Sequence, residues 1–400
     1  MKKDIAIYTL TSPLHDEQAV AAATREFLDT LHFDYDFRGA DYADYGSHAL
    51  QLIFVRTGGT EGVFSQLLPQ LRAQSDQPFY LLASHKSNSL AASMEILSFL
   101  NQQGLKGEII HGDADYVNRR VATLELVTAA RQKLHGQRLG IIGKPSDWLI
   151  SSQPDAQAVK AALGIELVDI PIQELIDEYE KAPQADVKHA CDNEMVNAAL
   201  PGAMRIQEAL DALVKRYQLN GFTLRCFDML TAVKNTGCMA LAQFNACDIV
   251  ASCEGDVPAM LSMTIALAVT GKTGFQANPS RIDPVTGEIL FAHCTIPFNM
   301  VERYTLDTHF ESGIGVAICG YAPEGPVTVF KVSADLKRWF AEDAELLRSQ
   351  AKPDLCRTQQ IIRLDNAARA RYFFTQPIGN HHVIVPGHHA AAFNELLQSL

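Results

Sequence analysis

Two stretches of the chain run an apolar strand pattern out into polar, metal-seeking residues: Asp248-Ile249-Val250-Ala251-Ser252-Cys253-Glu254-Gly255-Asp256 and Glu288-Ile289-Leu290-Phe291-Ala292-His293-Cys294-Thr295-Ile296-Pro297. A short β-branched or apolar run bounded by turn residues marks a buried strand. In open α/β folds, ligands gather just beyond the carboxyl ends of such strands. Glu254, Asp256 and His293 therefore stand where a site is expected. A third element, His381-His382, precedes another strand-like run, Val383-Ile384-Val385.

Outward from these stretches the chain alternates strand and helix patterns. Residues 4–10, 49–55, 79–83 and 109–112 read as strands, with helices predicted over Glu17–Leu31 and Leu90–Gln103, the latter capped by Ser89 and stopped at Gly104. A second series begins near Gln137. Strands are expected at Arg138–Gly143, Ile165–Pro171, Thr223–Phe227 and Asp248–Cys253, and helices from Gln173, from Pro201 to about Tyr217, and over Leu230–Leu241. A polar link between Lys181 and Asn193 joins helices. Pro258 suits the first turn of a helix closed by Gly271. From Gly274 to Val332 turn signals recur about every ten residues, a texture of antiparallel β structure in a small barrel or sandwich. A helix over Ala390–Leu400 follows. The expected fold is thus α/β: two Rossmann-like doubly wound parallel-sheet domains, 1–136 and 137–271, then a β-rich, antiparallel barrel-like domain, 272–400.

Composition limits the function classes. The chain has 400 residues, 47% hydrophobic and 20% charged, as in an ordinary globular protein of two or three domains. Lys+Arg 34 against Asp+Glu 46 gives a net charge of −12, which argues against a nucleic-acid partner, since phosphate binding needs a basic face. Eight scattered cysteines without a CxxC pair read as reduced thiols in a cytoplasmic protein. No run of eighteen apolar residues predicts a membrane span, and the early Asp4 argues against a signal peptide.

Residue chemistry leaves alternatives. A strand-end carboxylate with imidazoles is a mixed N/O ligand set suited to Mn, Fe, Co or Zn, but each such residue also has a structural reading. Asp256 fits the start of the following helix, where the dipole favours a carboxylate. His309 and Glu311 offer either ligands or a hydrogen-bonded turn. Lys144-Pro145-Ser146-Asp147 binds an anion or caps a helix, and Thr57-Gly58-Gly59-Thr60-Glu61 is a ligand loop or a tight turn.

Six segments in order, Val55–Glu61, Gly143–Trp148, Arg225–Asp228, Cys253–Ala259, Ala292–Thr295 and Asn380–Val383, resemble the L-fucose isomerase and L-arabinose isomerase superfamily, most closely its shorter fucose isomerase-like members. The resemblance covers essentially the whole chain. It implies a divalent metal, usually Mn²⁺, and aldose–ketose isomerisation through an ene-diol. It implies metal ligation by Glu254, His293 and one histidine of the His381-His382 pair. The family's second carboxylate falls near Asn278, an amide here, which can ligate but cannot take a proton. Glu254, Asp256, Asp283 or Glu311 could stand in for that second carboxylate; the chemistry of the reaction asks a carboxylate such as Glu254 to move the proton between carbons and a second acid-base group, His309 or Glu311, to serve the oxygens. It further implies a homo-oligomer, trimer or hexamer, whose site is completed across a subunit interface. Thr57, Gly58, Gly59 and Asn88 would contribute there to sugar binding. Lys144, Arg225, Arg281, Arg303 and Arg363 offer cations for a deoxy, sulfonated or otherwise anionic sugar. The rival expectations are a sugar-binding or regulatory protein that keeps the fold without the chemistry, and a sugar-acid epimerase or lyase.

Overall fold

The computed structural model describes residues 3–184 and 191–400. Most of the predicted polar link between Lys181 and Asn193 lies outside the described residues. The chain divides into two compact units, Met1–Ala129 and Ala130–Leu400.

The first unit contains β1 (Ile5–Leu10), α1 (Glu17–Leu28), β2 (Tyr35–Gly39), β3 (Leu50–Val55), α2 (Glu61–Gln74), β4 (Phe79–Ala83), α3 (Ser89–Gln102) and β5 (Gly107–Ile110), followed by α4 (Ala114–Leu134). Its five strands are parallel in the order β2-β1-β3-β4-β5. Every residue of β1, β3 and β4 is buried, because crossover helices cover both faces of such a sheet. That is why these strands read as unbroken apolar runs. The edge strand β2 has no buried residue, and Tyr35-Asp36-Phe37-Arg38-Gly39 gave no strand signal. Ser89 does not cap α3; its hydroxyl donates to the Val55 carbonyl, and Asn88 occupies the cap position with φ +57°.

The second unit opens with β6 (Arg138–Ile142), α5 (Ala156–Leu163), β7 (Glu166–Ile170), α6 (Ile172–Lys181), α7 (Glu194–Tyr217), β8 (Gly221–Leu224), α8 (Cys226–Ala232), α9 (Cys238–Ala246), β9 (Val250–Cys253) and α10 (Val257–Thr270). The strands form a parallel sheet, β7-β6-β8-β9. Helix α7 starts two turns before Pro201, capped by Asn193, whose side chain accepts from Met195 N and Val196 N. Its buried face, from Val196 and Leu200 to Ile206 and Leu213, runs straight past the proline, so packing outweighs the lost N–H. The segment predicted as one helix over Leu230–Leu241 is two, α8 and α9, separated by a turn in which Lys234 has φ +54°.

The remaining elements are β10 (Phe275–Ile282), β11 (Glu288–His293), β12 (Arg303–Asp307), β13 (Ala317–Tyr321), β14 (Gly325–Val332), β15 (Trp339–Gln350), β16 (Thr358–Leu364), α11 (Tyr372–Thr375), β17 (His382–Pro386) and α12 (Ala390–Gln398). Six of the strands close an antiparallel barrel, β10-β11-β16-β15-β14-β17, and β12-β13 form a separate ribbon. The barrel core includes Phe275, Phe291, Val329, Phe340, Ile362 and Ile384. Helix α10 packs against β8 and β9 on one side and β14 and β17 on the other. It is apolar around nearly its whole circumference, as a helix buried between two layers must be. Its N-terminus therefore lies where sheet and barrel meet. Among the described residues, no helix is long and apolar enough to cross a membrane. All eight cysteines are free thiols.

A candidate metal centre between sheet and barrel

The site begins at the carboxyl end of β9, where the chain leaves the sheet through two successive left-handed residues, Glu254 (φ +65°) and Gly255 (φ +70°). A non-glycine residue in this region costs about 1–2 kcal/mol, and such strain concentrates at functional sites. Gly255 is required twice over. Besides its φ, a Cβ there would lie 2.5 Å from Lys144 O and 2.9 Å from Pro145 Cα. The 143–148 loop is thus laid directly on the turn. Ser146 N donates to Glu254 O (2.9 Å), and Arg225 Nη1 donates to Pro145 O (2.6 Å). The loop delivers Trp148, whose indole N–H donates to Glu254 Oε2 at 2.7 Å.

The other carboxylate oxygen faces two histidines from the barrel. Glu254 Oε1 lies 3.3 Å from His381 Nε2 and 3.8 Å from His293 Nε2. His293 ends β11 and His381 immediately precedes β17. The ligand atoms of these three residues lie within 4.8 Å of one another, so the cluster could hold a metal ion. Each ring is oriented from behind. His293 Nδ1 meets Thr295 Oγ1 at 3.0 Å, and His381 Nδ1 donates to Asp256 Oδ2 at 2.8 Å. Metal-bound histidines characteristically carry such a partner on the other nitrogen. His381 Nε2 is fully buried and, apart from its 3.3 Å approach to Glu254 Oε1, has no hydrogen-bond partner among the described residues, a position a cation can take in place of the proton. Two imidazoles and one carboxylate fit a first-row transition metal and leave positions for substrate oxygens.

Asp256 is wholly buried. It caps α10 by accepting from Ala259 N (2.8 Å) and pairs with Lys331 Nζ at 3.3 Å, itself fully buried on β14. Sheet, helix terminus and barrel are thereby joined in the order Lys331, Asp256, His381, Glu254. Burial would raise the carboxyl pKa of Glu254, but the facing His381 and His293 hold it far below the usual range. Burial is likewise overcome at Asp256, where Lys331 and His381 bring it down to about 2. For His381, burial is outweighed by Glu254 and Asp256, which push it up to about 9. His293 is lowered, chiefly by burial.

The structure separates the histidine pair. Adjacent residues on a strand point to opposite faces, so His382 enters the barrel while His381 faces Glu254. His382 pairs across the sheet with Ala277, donates from Nδ1 to Asn380 O (3.1 Å) and meets the Tyr372 hydroxyl with Nε2 (3.0 Å). Burial and the Lys331 charge lower its pKa to about 3. Asn278 is half-buried on β10 opposite Ala292. His309 is buried, its Nδ1 3.1 Å from Ser312 Oγ, and burial together with His293 lowers it to about 4. Its ring completes an aromatic series beside Glu254: Trp148 meets Phe227 edge-on at 4.9 Å, and Phe227 meets His309 at 5.7 Å. Glu311 is exposed.

The predicted cations are largely engaged. Arg225 pairs with Asp147 (2.8 Å) and Asp228 (3.0 Å), and Lys144 with Asp147 (3.3 Å). Arg303 lies over the Tyr321 ring. Arg281 lines a barrel-surface cleft with Asp283 and Glu288, and the exposed Arg363 stands opposite Glu288 and Glu345. In the first unit, Gly58, Gly59 and Asn88 border a cleft of about 400 Å³ with Ser12 and His15, and Thr57 is buried, accepting from Ser12 N. Sequence reasoning gave Trp148 and Lys331 no role. A lysine in a strand reads as solvent-facing, whereas Lys331 is fully buried; Trp148 is 51% exposed and only its N–H reaches the site.

No family model matches the chain. Sulfoquinovose isomerases from Priestia aryabhattai and from Priestia megaterium are each 23% identical to it over 266 residues, 62% of this chain. The chain matches 59% of the length of these curated relatives.

Proposed function

We propose that this chain is a metal-dependent aldose–ketose isomerase of the fucose/arabinose isomerase type, acting on a sulfonated hexose such as sulfoquinovose. The cluster of Glu254, His293 and His381 carries the reading, and the similarity to two sulfoquinovose isomerases supports the substrate class. The three residues would hold a divalent ion, taken as Mn²⁺, which when bound would polarise a carbonyl and its neighbouring hydroxyl and so acidify the C–H of the hydroxyl-bearing carbon next to the carbonyl. With a metal in place of the His381 proton, Asp256 and Thr295 would keep both Nε2 atoms directed at the Glu254 side. Glu254 Oε1 faces the imidazoles, while Oε2, anchored by the Trp148 N–H, moves the proton between carbons 1 and 2 of the open-chain sugar. His309 is neutral at pH 7, and its Nε2 serves the sugar oxygens. The aromatic series from Trp148 to His309 excludes water from the apolar edge of the sugar. Asn278 stands near the position of a second carboxylate and orients the substrate as a hydrogen-bond partner.

A homo-oligomer, trimer or hexamer, belongs to the same proposal, with Thr57, Gly58, Gly59 and Asn88 supplied across a subunit interface. So do a cytoplasmic location and a division of the chain at 136/137 and 271/272.

One observation favours a second reading. Among the described residues the cluster contains a single carboxylate, so the chain could bind a sugar without isomerising it. Elemental analysis together with solvent exchange separates the two. The isomerase incorporates deuterium at carbon 2 of sulfoquinovose in deuterated water with Mn²⁺, and Glu254→Gln loses both metal and exchange. Stoichiometric metal without exchange across a panel of sulfonated and neutral hexoses establishes the binding protein instead. A protein that takes up no metal after Mn²⁺ supplementation refutes the metal-centre proposal.

A further inference from the structure

The barrel carries a second concave feature. Residues 337–340, around the start of β15, and residues of the segment 368–378 border an open cleft of about 560 Å³. Four cations line it, Lys337, Arg338, Arg369 and Arg371, and no carboxylate does. For a chain of net charge −12 this is an inversion of the average surface. Arg369 is compensated: it pairs with Glu342 at 3.1 Å and lies over the Phe340 ring. Lys337, Arg338 and Arg371 form no ion pair among the described residues. Asp335, the acidic neighbour in sequence, is taken by the Ser333 hydroxyl (2.6 Å) and by the backbone N–H of Lys337 (3.2 Å).

The cavity wall is aromatic. Tyr372 stacks on Phe340 with ring centroids 4.1 Å apart, and Trp339 is fixed by an N–H bond to Asn394 Oδ1 at 2.8 Å. The Tyr372 hydroxyl, raised mainly by burial, stays neutral and brings no opposing charge. Guanidinium forks match the oxygens of phosphate and sulfonate groups, and a volume of several hundred Å³ is that of a small-molecule site. Arg369 and Lys337 feel the charges of Glu342 and Asp335, but Arg338 and Arg371 face the cleft without an ion pair among the described residues, so the arrangement favours negative charge.

We propose that this cavity is a second binding site, distinct from the metal-ligand cluster, for a small organic anion bearing a phosphate or sulfonate group. The arginines take the oxyanion and the Trp339–Tyr372 wall takes the carbon skeleton. Such a ligand has two sources, the sulfonated sugar itself or a phosphorylated sugar, and titration distinguishes them.

The test is calorimetric titration of the full chain, stripped of metal with EDTA, using glucose 6-phosphate, sulfoquinovose and glucose. At least one of the two anions binds, glucose does not, and affinity weakens as NaCl rises from about 50 to 300 mM, as screening requires. The double substitution Arg338→Ala/Arg371→Ala, at two exposed side chains, weakens binding at least tenfold at unchanged thermal midpoint. Arg338→Gln/Arg371→Gln provides a second variant should the alanine protein be unstable. Binding of glucose 6-phosphate alone assigns the site to sugar phosphates; binding of sulfoquinovose alone assigns it to a second molecule of the sulfonated sugar. No binding of either anion, or binding unchanged in both double variants, overturns the proposal. Metal is absent throughout, so the outcome is independent of whether the Glu254 centre catalyses isomerisation.

Discussion

Replacing Lys331 by methionine removes the lysine cation paired with Asp256 in the interior and leaves volume nearly unchanged. Lys331 and Asp256 are both fully buried, with Nζ 3.3 and 3.4 Å from the two carboxylate oxygens. Asp256 retains the Ala259 N–H and His381 Nδ1 but loses its lysine partner. Stranding one member of a buried pair costs about 3–5 kcal/mol. For a unit of this size, each kcal/mol lowers the thermal midpoint by about 2 °C or slightly more, so Lys331→Met should unfold the second unit roughly 6–10 °C earlier. The double variant Lys331→Met/Asp256→Asn removes both charges and should recover most of that loss, because replacing a buried pair is far cheaper than breaking it. It should not recover metal affinity, since an amide orients His381 less firmly than a carboxylate. Differential scanning calorimetry and Mn²⁺ titration on the parent and both variants supply the readouts. A midpoint within 2 °C of the parent for Lys331→Met would refute the assignment of Lys331 as the charge that holds Asp256 in place.

Three further outcomes follow from the same geometry. His381→Gln should lose stoichiometric metal, whereas His382→Gln should keep it and lose about 1–3 kcal/mol of stability through the Tyr372 hydroxyl left without its acceptor; metal analysis beside thermal melts distinguishes the two. Gly255→Ala should displace the 143–148 loop, because its Cβ would lie 2.5 Å from Lys144 O, and should weaken Mn²⁺ binding together with stability; an unchanged melt and affinity would contradict the close approach. Trp148→Phe removes the N–H that anchors Glu254 Oε2, and in the isomerase reading it should lower kcat by about tenfold or more with metal content unchanged, measured as initial rates at saturating sugar.

Much of the architecture was legible because the strands of a doubly wound sheet are apolar on both faces and end at turn residues. Ile5–Leu10, followed by Thr11-Ser12-Pro13, and Val250–Cys253, followed by Glu254-Gly255, announce themselves in that way. Tyr35–Gly39 did not, since an edge strand needs no apolar face. The turn texture pointed to a small barrel or sandwich, but which strands close it was hidden: the pairing of β17 with β10 joins distant segments through backbone bonds that carry no composition signal. At the site, Glu254 and His293 were visible as strand-end chemistry. Which histidine of 381 and 382 faces the cluster was not, because Val383, Ile384 and Val385 are all buried and give no alternation from which to read direction. Lys331 was invisible for a different reason. A lysine among valines suggests an outward-facing position, and only the fold shows that both faces of β14 are covered there.

That same lack of alternation bears on how the chain reaches its native state. Sliding β17 by one residue would keep an apolar side chain at each position after the histidines and still send an imidazole toward Glu254. Composition therefore barely penalises the slipped alignment. Fidelity falls to steric landmarks such as Gly274, where a Cβ would lie 2.5 Å from Val383 Cγ1, so that only the native alignment nests the valine against bare backbone. Chains trapped in the slipped alignment would be compact and nearly native, yet would misplace the imidazole that Asp256 aims. If the cluster holds a cation, the ion would bind the native alignment, where Asp256 aims the imidazole, more tightly than the slipped one, and draw the population toward it by mass action. The metal would then act as a proofreader of strand alignment before it takes any part in chemistry.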